Sequence, residues 1–195
     1  MRGKLFIVSA PSGAGKTTLV NALLENWSAS CPLGRVVTYT TKSPRKNEIP
    51  GKDYHFVSQD RFQKLIAMDF FLEWNSFCGN YYGTPRHILT ECDQGNSLVL
   101  VIDRIGTKRV IATVPDTYSI VTVWIQVSSL EVLRERLCLR GTENDAQIQS
   151  RLERACAELN DEQQNKLYSY HIINDDFSRT LKNLQNIFLE ELAIL

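Results

Sequence analysis

What this 195-residue sequence has little of narrows the possibilities first. Neither sign of charge is in excess, with 22 Lys plus Arg against 22 Asp plus Glu. A global basic field for nucleic acid is therefore missing, and any anion must be held by local clusters. There are only five cysteines, Cys31, Cys78, Cys92, Cys138 and Cys156. None sits at metal-ligand spacing, and their odd number argues against a full disulfide framework. Free thiols in a reducing cytosol fit better, so a cytoplasmic protein is expected. No window approaches the roughly 20 apolar residues of a spanning helix, and no membrane role is expected. Met1-Arg2-Gly3-Lys4 and the short apolar run after it read as too brief for a signal peptide. Internal repeats, low-complexity tracts and flexible linkers are lacking too. The length suits one compact α/β domain with room for inserted lobes.

What is there is organised around Ala10-Pro11-Ser12-Gly13-Ala14-Gly15-Lys16-Thr17-Thr18. The stretch follows an apolar run, Leu5 to Val8, that reads as a buried strand. It leads into Leu19, Leu23 and Leu24 at helical spacing. Strand, glycine-rich turn, Gly-Lys-Thr and helix together make a phosphate-binding loop. Its glycines let successive backbone N–H groups point into one concavity where a polyphosphate replaces water. The helix N-terminus adds partial positive charge, Lys16 can reach the β- and γ-phosphates, and the Thr17 hydroxyl can ligate Mg²⁺. The full pattern wants glycine where Ala10 stands. The competing reading, a glycine-rich turn that only caps a helix, does not account for the strand–turn–helix context. A nucleoside triphosphate is the expected ligand.

Strands are expected at 4–9, 35–40, 98–102, 121–127 and 170–173, alternating with helices, which predicts a parallel sheet with crossovers. The runs Leu98 to Ile102 and Val121 to Val127 are apolar throughout, the mark of strands covered on both faces. Before them Pro85 is read as opening a helix to about 93, and between them another is expected near 105–112. Ser128 or Ser129 caps the next, and Leu181, Leu184, Ile187, Phe188 and Leu192 mark a last amphipathic one. From about 41 to 84 the alternation breaks. A proline- and glycine-broken polar loop, Thr41 to Lys52, precedes strands at Tyr54–Val57, Phe70–Phe77 and Tyr81–Thr84, with a Ser58-capped helix among them. This block reads as an inserted lobe.

Four constellations have two readings each. Asp103 ends an apolar strand, at the edge where ligands of open α/β sheets sit, and can hold a Mg²⁺ shell. Otherwise it caps the next helix. Arg134, Arg136, Arg140, Arg151 and Arg154 flank a loop at Gly141 to Asp145. Arg136, Arg140 and Arg151 can converge on phosphoryl oxygens if that loop folds over. Otherwise they pair with Glu131, Glu135, Glu143 and Glu153 on exposed helix faces. Glu73 lies among Phe70, Phe71, Leu72 and Trp74. Burial would demand a partner such as the adjacent N1–H and amine of guanine, whereas simple alternation would turn it to water. Tyr54, Tyr81 and Tyr82 either donate to a phosphate or pack as strand aromatics. His55, His87 and His171 form no catalytic set.

With these residues in view, the chain resembles the guanylate kinase family along nearly its whole length. Ser9 to Thr17 matches the phosphate loop, alanine included. Thr40-Thr41-Lys42-Ser43-Pro44-Arg45-Lys46-Asn47-Glu48, Gly51 and Tyr54-His55-Phe56 match the nucleotide-monophosphate loop. Phe71-Leu72-Glu73-Trp74 and Gly79-Asn80-Tyr81-Tyr82-Gly83-Thr84 match the stretch that closes the acceptor site. Arg136, Arg140-Gly141 and Arg151 look like the lid, and Asn174-Asp175-Asp176 like the segment beside adenine. The resemblance implies a three-layer P-loop kinase fold. A core at 1–37, 88–136 and 153–195 would carry a GMP-binding lobe at about 38–87 and a lid at about 137–152. It also implies phosphoryl transfer from ATP to GMP, and to dGMP, with Mg²⁺ and no obligate protein partner.

On that resemblance Ser12, Gly13, Ala14, Gly15, Lys16, Thr17, Thr18 and Asn174 would bind ATP. Thr38, Glu73 and Thr84 would read guanine, with Asp103 near the nucleotides, holding Mg²⁺ through water. Lys42, Arg45, Tyr54 and Tyr82 would hold the acceptor phosphate. Lys16, Arg136, Arg140 and Arg151 would neutralise the migrating phosphoryl group. The alternatives are a guanylate-kinase-like binding module and a kinase for another nucleoside monophosphate. Intact Gly15-Lys16-Thr17 argues against the first, and a carboxylate at position 73, which adenine's N1 acceptor would repel, argues against the second.

The chain departs from the family pattern at four places. Lys42 stands for arginine, Val101 for the first Asp of Asp-x-Asp, Arg104-Ile105-Gly106 for an aromatic or Met, Gln and Gly, and Asn47 for a common glycine. Lysine is a point charge where arginine offers a planar fork. Loss of one charge-assisted hydrogen bond weakens binding by about 1–2 kcal/mol. A raised GMP requirement is therefore expected. A Lys42→Arg variant should lower the GMP KM, and an unchanged KM in steady-state assays would remove this argument.

Overall fold

Side-chain alternation along β1 (Leu5–Ser9) decides the layering. The computed structural model describes residues 2–193 apart from Ser12, Ala29, Ser30, Cys78, Thr142 and Glu143, with Arg140 in its backbone only. Phe6 and Val8 face one side, packing with Leu19, Val20 and Leu23 of α1 (Lys16–Glu25) and Leu184 and Phe188 of α7 (Phe177–Ala193). The Phe6 and Phe188 rings stack 4.0 Å apart. Leu5 and Ile7 face the other side, against Ile88 and Cys92 of α3 (Ile88–Asp93) and Val110 of α4 (Arg104–Thr113). Two helical layers thus enclose one sheet, as continuous apolar strands require.

That sheet has five parallel strands in the order β2-β7-β1-β8-β9: β2 (Leu33–Arg35), β7 (Ser97–Val101), β8 (Ile120–Gln126) and β9 (Tyr170–Ile173) around β1. After β8 come α5 (Leu130–Arg140), with Ser129 as its cap, and α6 (Asp145–Gln164), which opens with an Asn144–Gln147 capping box. No helix among the described residues is long and apolar enough to cross a membrane. Cys31, Cys92, Cys138 and Cys156 are free thiols.

A second sheet has four strands in the order β4-β3-β6-β5: β3 (Tyr39–Thr40), β4 (His55–Phe56), β5 (Phe71–Phe77) and β6 (Asn80–Pro85). Here the expected single strand at 35–40 needs correction, because its residues serve two sheets. Val36 N still donates to Val99 O in the core at 2.9 Å, while Tyr39 pairs with Gly83 in the second sheet. The chain crosses between the sheets here, and β-propensity carries no information about which sheet a residue joins. The helix α2 (Gln59–Ala67), capped by Ser58, covers one face of this second sheet. Phe62 stacks on Phe71 and on Tyr81, with ring centroids 4.5 and 5.4 Å apart. A side chain at Gly83 would meet Phe71 at 2.7 Å, so glycine is required there.

The register of β5 against β6 shifts between Phe71 and Glu73. Phe71 pairs with Pro85, yet Glu73 pairs with Thr84 and Asn75 with Tyr82. Two residues two apart on a regular strand share a face. The irregularity breaks that rule, sending Phe71 into the α2 side and Glu73 to the opposite side with Thr84.

The departure at Arg104 also has a structural consequence. Arg104 is 4% exposed. Its Nε donates to Asp161 Oδ2 at 2.6 Å, its Nη2 to Asn165 O at 2.6 Å, and its Nη1 to Glu162. Glu162 is buried and also accepts from the backbone N–H of Leu167 and Tyr168. The start of α4 is thereby tied to the end of α6. His171 Nε2 also lies 2.9 Å from Glu162 Oε1. An Arg104→Ala variant removes the guanidinium from this buried carboxylate and should lose about 3 kcal/mol of stability. Urea unfolding measures this, and an unchanged midpoint would show that the network contributes nothing.

Candidate active site

The loop between β1 and α1 adopts the conformation its glycines permit. Gly13 has φ of 93° and Gly15 of 92°, both in the left-handed region, and Gly15 is the N-cap of α1. A Cβ at Gly15 would lie 2.7 Å from Asn174 Nδ2. That amide, on a side chain buried at 4% exposure, donates to Ala14 O at 2.8 Å. Asn174 O in turn accepts from Arg136 Nη2 at 2.7 Å. Asn174, expected beside adenine, is thus a support beneath the phosphate loop, with Arg136 of α5 attached to it. Lys16 and Thr17 are half-buried in the first turn of α1, and Thr18 is exposed there. Ser12 lies outside the described residues.

Beside this loop the cleft face of β5 and β6 carries Glu73, Asn75, Phe77, Tyr82 and Thr84. Glu73 is 6% exposed and accepts from Thr84 Oγ1 at 2.6 Å. Burial pushes its carboxyl up to about 7, the Thr84 hydroxyl pulls against that, and the Asp103 charge adds to the rise. Of the two readings of Glu73, burial is the one realised. Thr38 is buried as well. Asp103 caps α4: its Oδ1 accepts from Gly106 N at 2.7 Å, and its Oδ2 from Asn75 Nδ2 at 3.3 Å.

The far end of the cleft is cationic and aromatic. The Lys42 ammonium is paired with Glu48 Oε2 and lies 4.9 Å from the Tyr54 ring centre. Glu48 also accepts from Arg45 N at 2.8 Å, and Arg45 Nη1 lies 3.8 Å from its other oxygen. Burial pushes the Glu48 carboxyl up, but Lys42 and Arg45 outweigh it and hold it below the usual range. The Tyr54 and Tyr82 rings meet edge to face at 6.2 Å, and Tyr82 meets Phe77 at the same distance. Burial, with the Glu48 charge, holds the Tyr54 hydroxyl above its ordinary pKa, so it stays a donor.

The helix α6 lies across the cleft from this sheet. Its Arg154 guanidinium sits 4.2 Å from the Phe77 ring centre. Arg151, half-buried, stands one turn earlier, and Gly141 closes α5 in the left-handed region. The side chain of Arg140 lies outside the description, as do Thr142 and Glu143.

Three contributors take their place only through the fold. Glu48 belongs to a loop that composition alone makes a solvated face. Asn75 sits on the cleft side only because of the β5 irregularity. Glu158, on α6, lies in the combined field of Lys16, Arg154, Arg104 and Asp103, and burial pushes its carboxyl up to about 7. The charged positions on α6, Arg151, Arg154 and Glu158, are spaced by three and four, which is the one trace a sequence reading offers.

The arrangement can cradle one polyphosphate at the loop and hold a second, smaller phosphate at the cationic end, with a buried carboxylate available for a base. Comparison with known proteins agrees with that geometry. The family model described as Guanylate kinase matches residues 2–191. The guanylate kinase of Alkalilimnicola ehrlichii is 43% identical over 189 residues, covering 96% of this chain and 89% of that protein. That of Chlamydia felis is 41% identical, covering 96% and 88%. The crystal structure of guanylate kinase from Anaplasma phagocytophilum superposes with a TM-score of 0.77 at 31% identity, over 97% of this chain and 86% of that one. The likeness runs over nearly the whole chain and not through the phosphate loop alone, so the chain belongs to the guanylate kinase family of nucleoside monophosphate kinases.

Proposed function

We propose that this chain transfers the terminal phosphoryl group of ATP to GMP, and to dGMP, giving ADP and GDP or dGDP. The observation that carries the reading is the buried Glu73–Thr84 pair in the same cleft as the phosphate loop. Guanine presents an N1–H and an exocyclic amine side by side, and a carboxylate accepts from both. Adenine presents an acceptor at N1 and would be repelled, which disfavours AMP as the acceptor.

The roles follow from position. Backbone N–H groups from Ser12 to Thr18 and the Lys16 ammonium receive the ATP phosphates. Thr38, Glu73 and Thr84 read guanine, with Asp103 beside them. Lys42, Arg45, Tyr54 and Tyr82 hold the acceptor phosphate. Arg136, Arg140 and Arg151 spread the charge of the migrating group, as guanidinium forks do. Asn174 fixes the loop from beneath. Residues 38–87 serve as the acceptor lobe and 137–152 as the lid, on a core of 1–37, 88–136 and 153–195. Their closure would bring the two phosphates into line and exclude water.

The residues present suit a Mg²⁺ ion carried in on ATP. Among the described residues no group of three or more His, Cys, Asp or Glu side chains is placed to hold a metal. Mg²⁺ commonly keeps waters and binds through one or two protein oxygens plus phosphates. Thr17 would offer its hydroxyl. Asp103, whose two oxygens already accept from Gly106 and Asn75, would reach it through water. When bound, the ion would screen the negative charge of the phosphates.

Coupled ADP release tests the reading directly, with ATP–Mg²⁺ and GMP, AMP, UMP or CMP as acceptor. Turnover is expected with GMP, and a Lys16→Ala variant should lose it. Retained nucleotide binding without turnover on any acceptor would overturn the enzyme in favour of a binding module.

A further inference from the structure

Resting on the GMP reading, we infer that Asn75, together with Asp103, recognises a ribose hydroxyl of the acceptor nucleotide and favours the ribonucleotide over its deoxy form. Register places it there. Along the β5–β6 ladder the pair Glu73 and Thr84 stands at the base end of the cleft, and the next pair on that face is Asn75 and Tyr82. Tyr82 touches Tyr54 and Phe77 at the phosphate end. Two ladder positions span about 7 Å. In a nucleoside monophosphate the sugar is what separates base from phosphate. Asn75 shares its rung with Tyr82, whose long side chain reaches on to Tyr54 and Phe77, while the short Asn75 amide stays one step beyond Glu73, on the Asp103 side, where the sugar follows the base.

The hydrogen-bond inventory of the pair suits a hydroxyl. Asn75 is half-buried. Its Oδ1 accepts from Ser76 N at 2.9 Å, which orients the amide, and its Nδ2 donates to Asp103 Oδ2 at 3.3 Å. An amide nitrogen carries two donors and a carboxylate oxygen more than one acceptor site. After their mutual bond, Nδ2 keeps a donor and Oδ2 keeps an acceptor, side by side. A hydroxyl donates and accepts at once, so it can satisfy both, whereas a C–H in its place satisfies neither. Asp103 is itself held by the Gly106 N–H at 2.7 Å, which prevents the pair from turning away.

The test compares kcat/KM for GMP, 2′-deoxy-GMP and 3′-deoxy-GMP in the wild-type protein, an Asn75→Ala variant and an isosteric Asn75→Asp variant. Wild type should prefer GMP over at least one deoxy analogue. Both variants should shrink that preference about tenfold, the usual effect of one hydrogen bond to a charged or polar partner. The loss should fall on GMP, with the matching deoxy analogue little changed. An equal loss on GMP and both analogues would mean that Asn75 only braces Asp103, and the inference would be wrong. Unaltered ratios would overturn it as well. Turnover of GMP with either of those results leaves the kinase reading standing. Wild type without GMP turnover overturns both.

Discussion

Between Phe71 and Glu73 the β5 ladder slips by one residue, and the acceptor cleft depends on that slip. Without it the two side chains would share a face, and either the carboxylate would enter the aromatic cluster around Phe62 or the phenyl ring would enter the cleft. With it, Phe71 stacks in the lobe interior while Glu73 stands on the cleft face against Thr84. A carboxylate in that position is costly to keep ionised while the cleft lacks a base, and its elevated pKa expresses the cost. The site is therefore poised for a ligand that brings donors of its own. The same slip places Asn75 and Phe77 on the cleft face behind Glu73.

The two ends of the reaction are joined through the floor and the roof of the cleft. On the donor side, Asn174 holds Ala14, and Arg136 holds Asn174, so the phosphate loop and α5 form one connected unit. On the acceptor side, Asp103 caps α4 and meets Asn75, while Arg104, the next residue, binds the end of α6. That helix carries Arg151, Arg154 and Glu158 over the cleft. A departure from the family pattern at Arg104 thus supplies the link by which the β5–β6 face of the cleft and α6 share a fixed base.

Much of this was legible in the sequence, for physical reasons. The phosphate loop is contiguous, so spacing alone carries its chemistry. The central strands are apolar throughout because helices cover both faces, and Phe6 and Leu5 show the result. What could not be read depends on distant partners or on local irregularity. Alternation would have placed Glu73 with Phe71. The β-forming run from Arg35 to Thr40 gave no sign that it divides between two sheets. Arg136 finds a backbone carbonyl 38 residues away, and Arg104 a carboxylate 57 residues away, neither of which spacing can suggest.

The central claim is that Glu73 receives guanine as a carboxylate. With its pKa near 7 in the free protein, it must give up a proton to accept two donors whenever the pH lies below that value. GMP affinity, measured by titration from pH 5.5 to 8.5 in the absence of ATP, should be constant above about pH 8 and weaken as the pH falls through 7. The loss should approach about tenfold per unit. The GMP phosphate also titrates, near pH 6, and a Glu73→Gln variant, which keeps that contribution, isolates the rest. The account predicts that the step near pH 7 disappears in Glu73→Gln and that its affinity is low at every pH. The same pH profile and the same affinity in both proteins would contradict it.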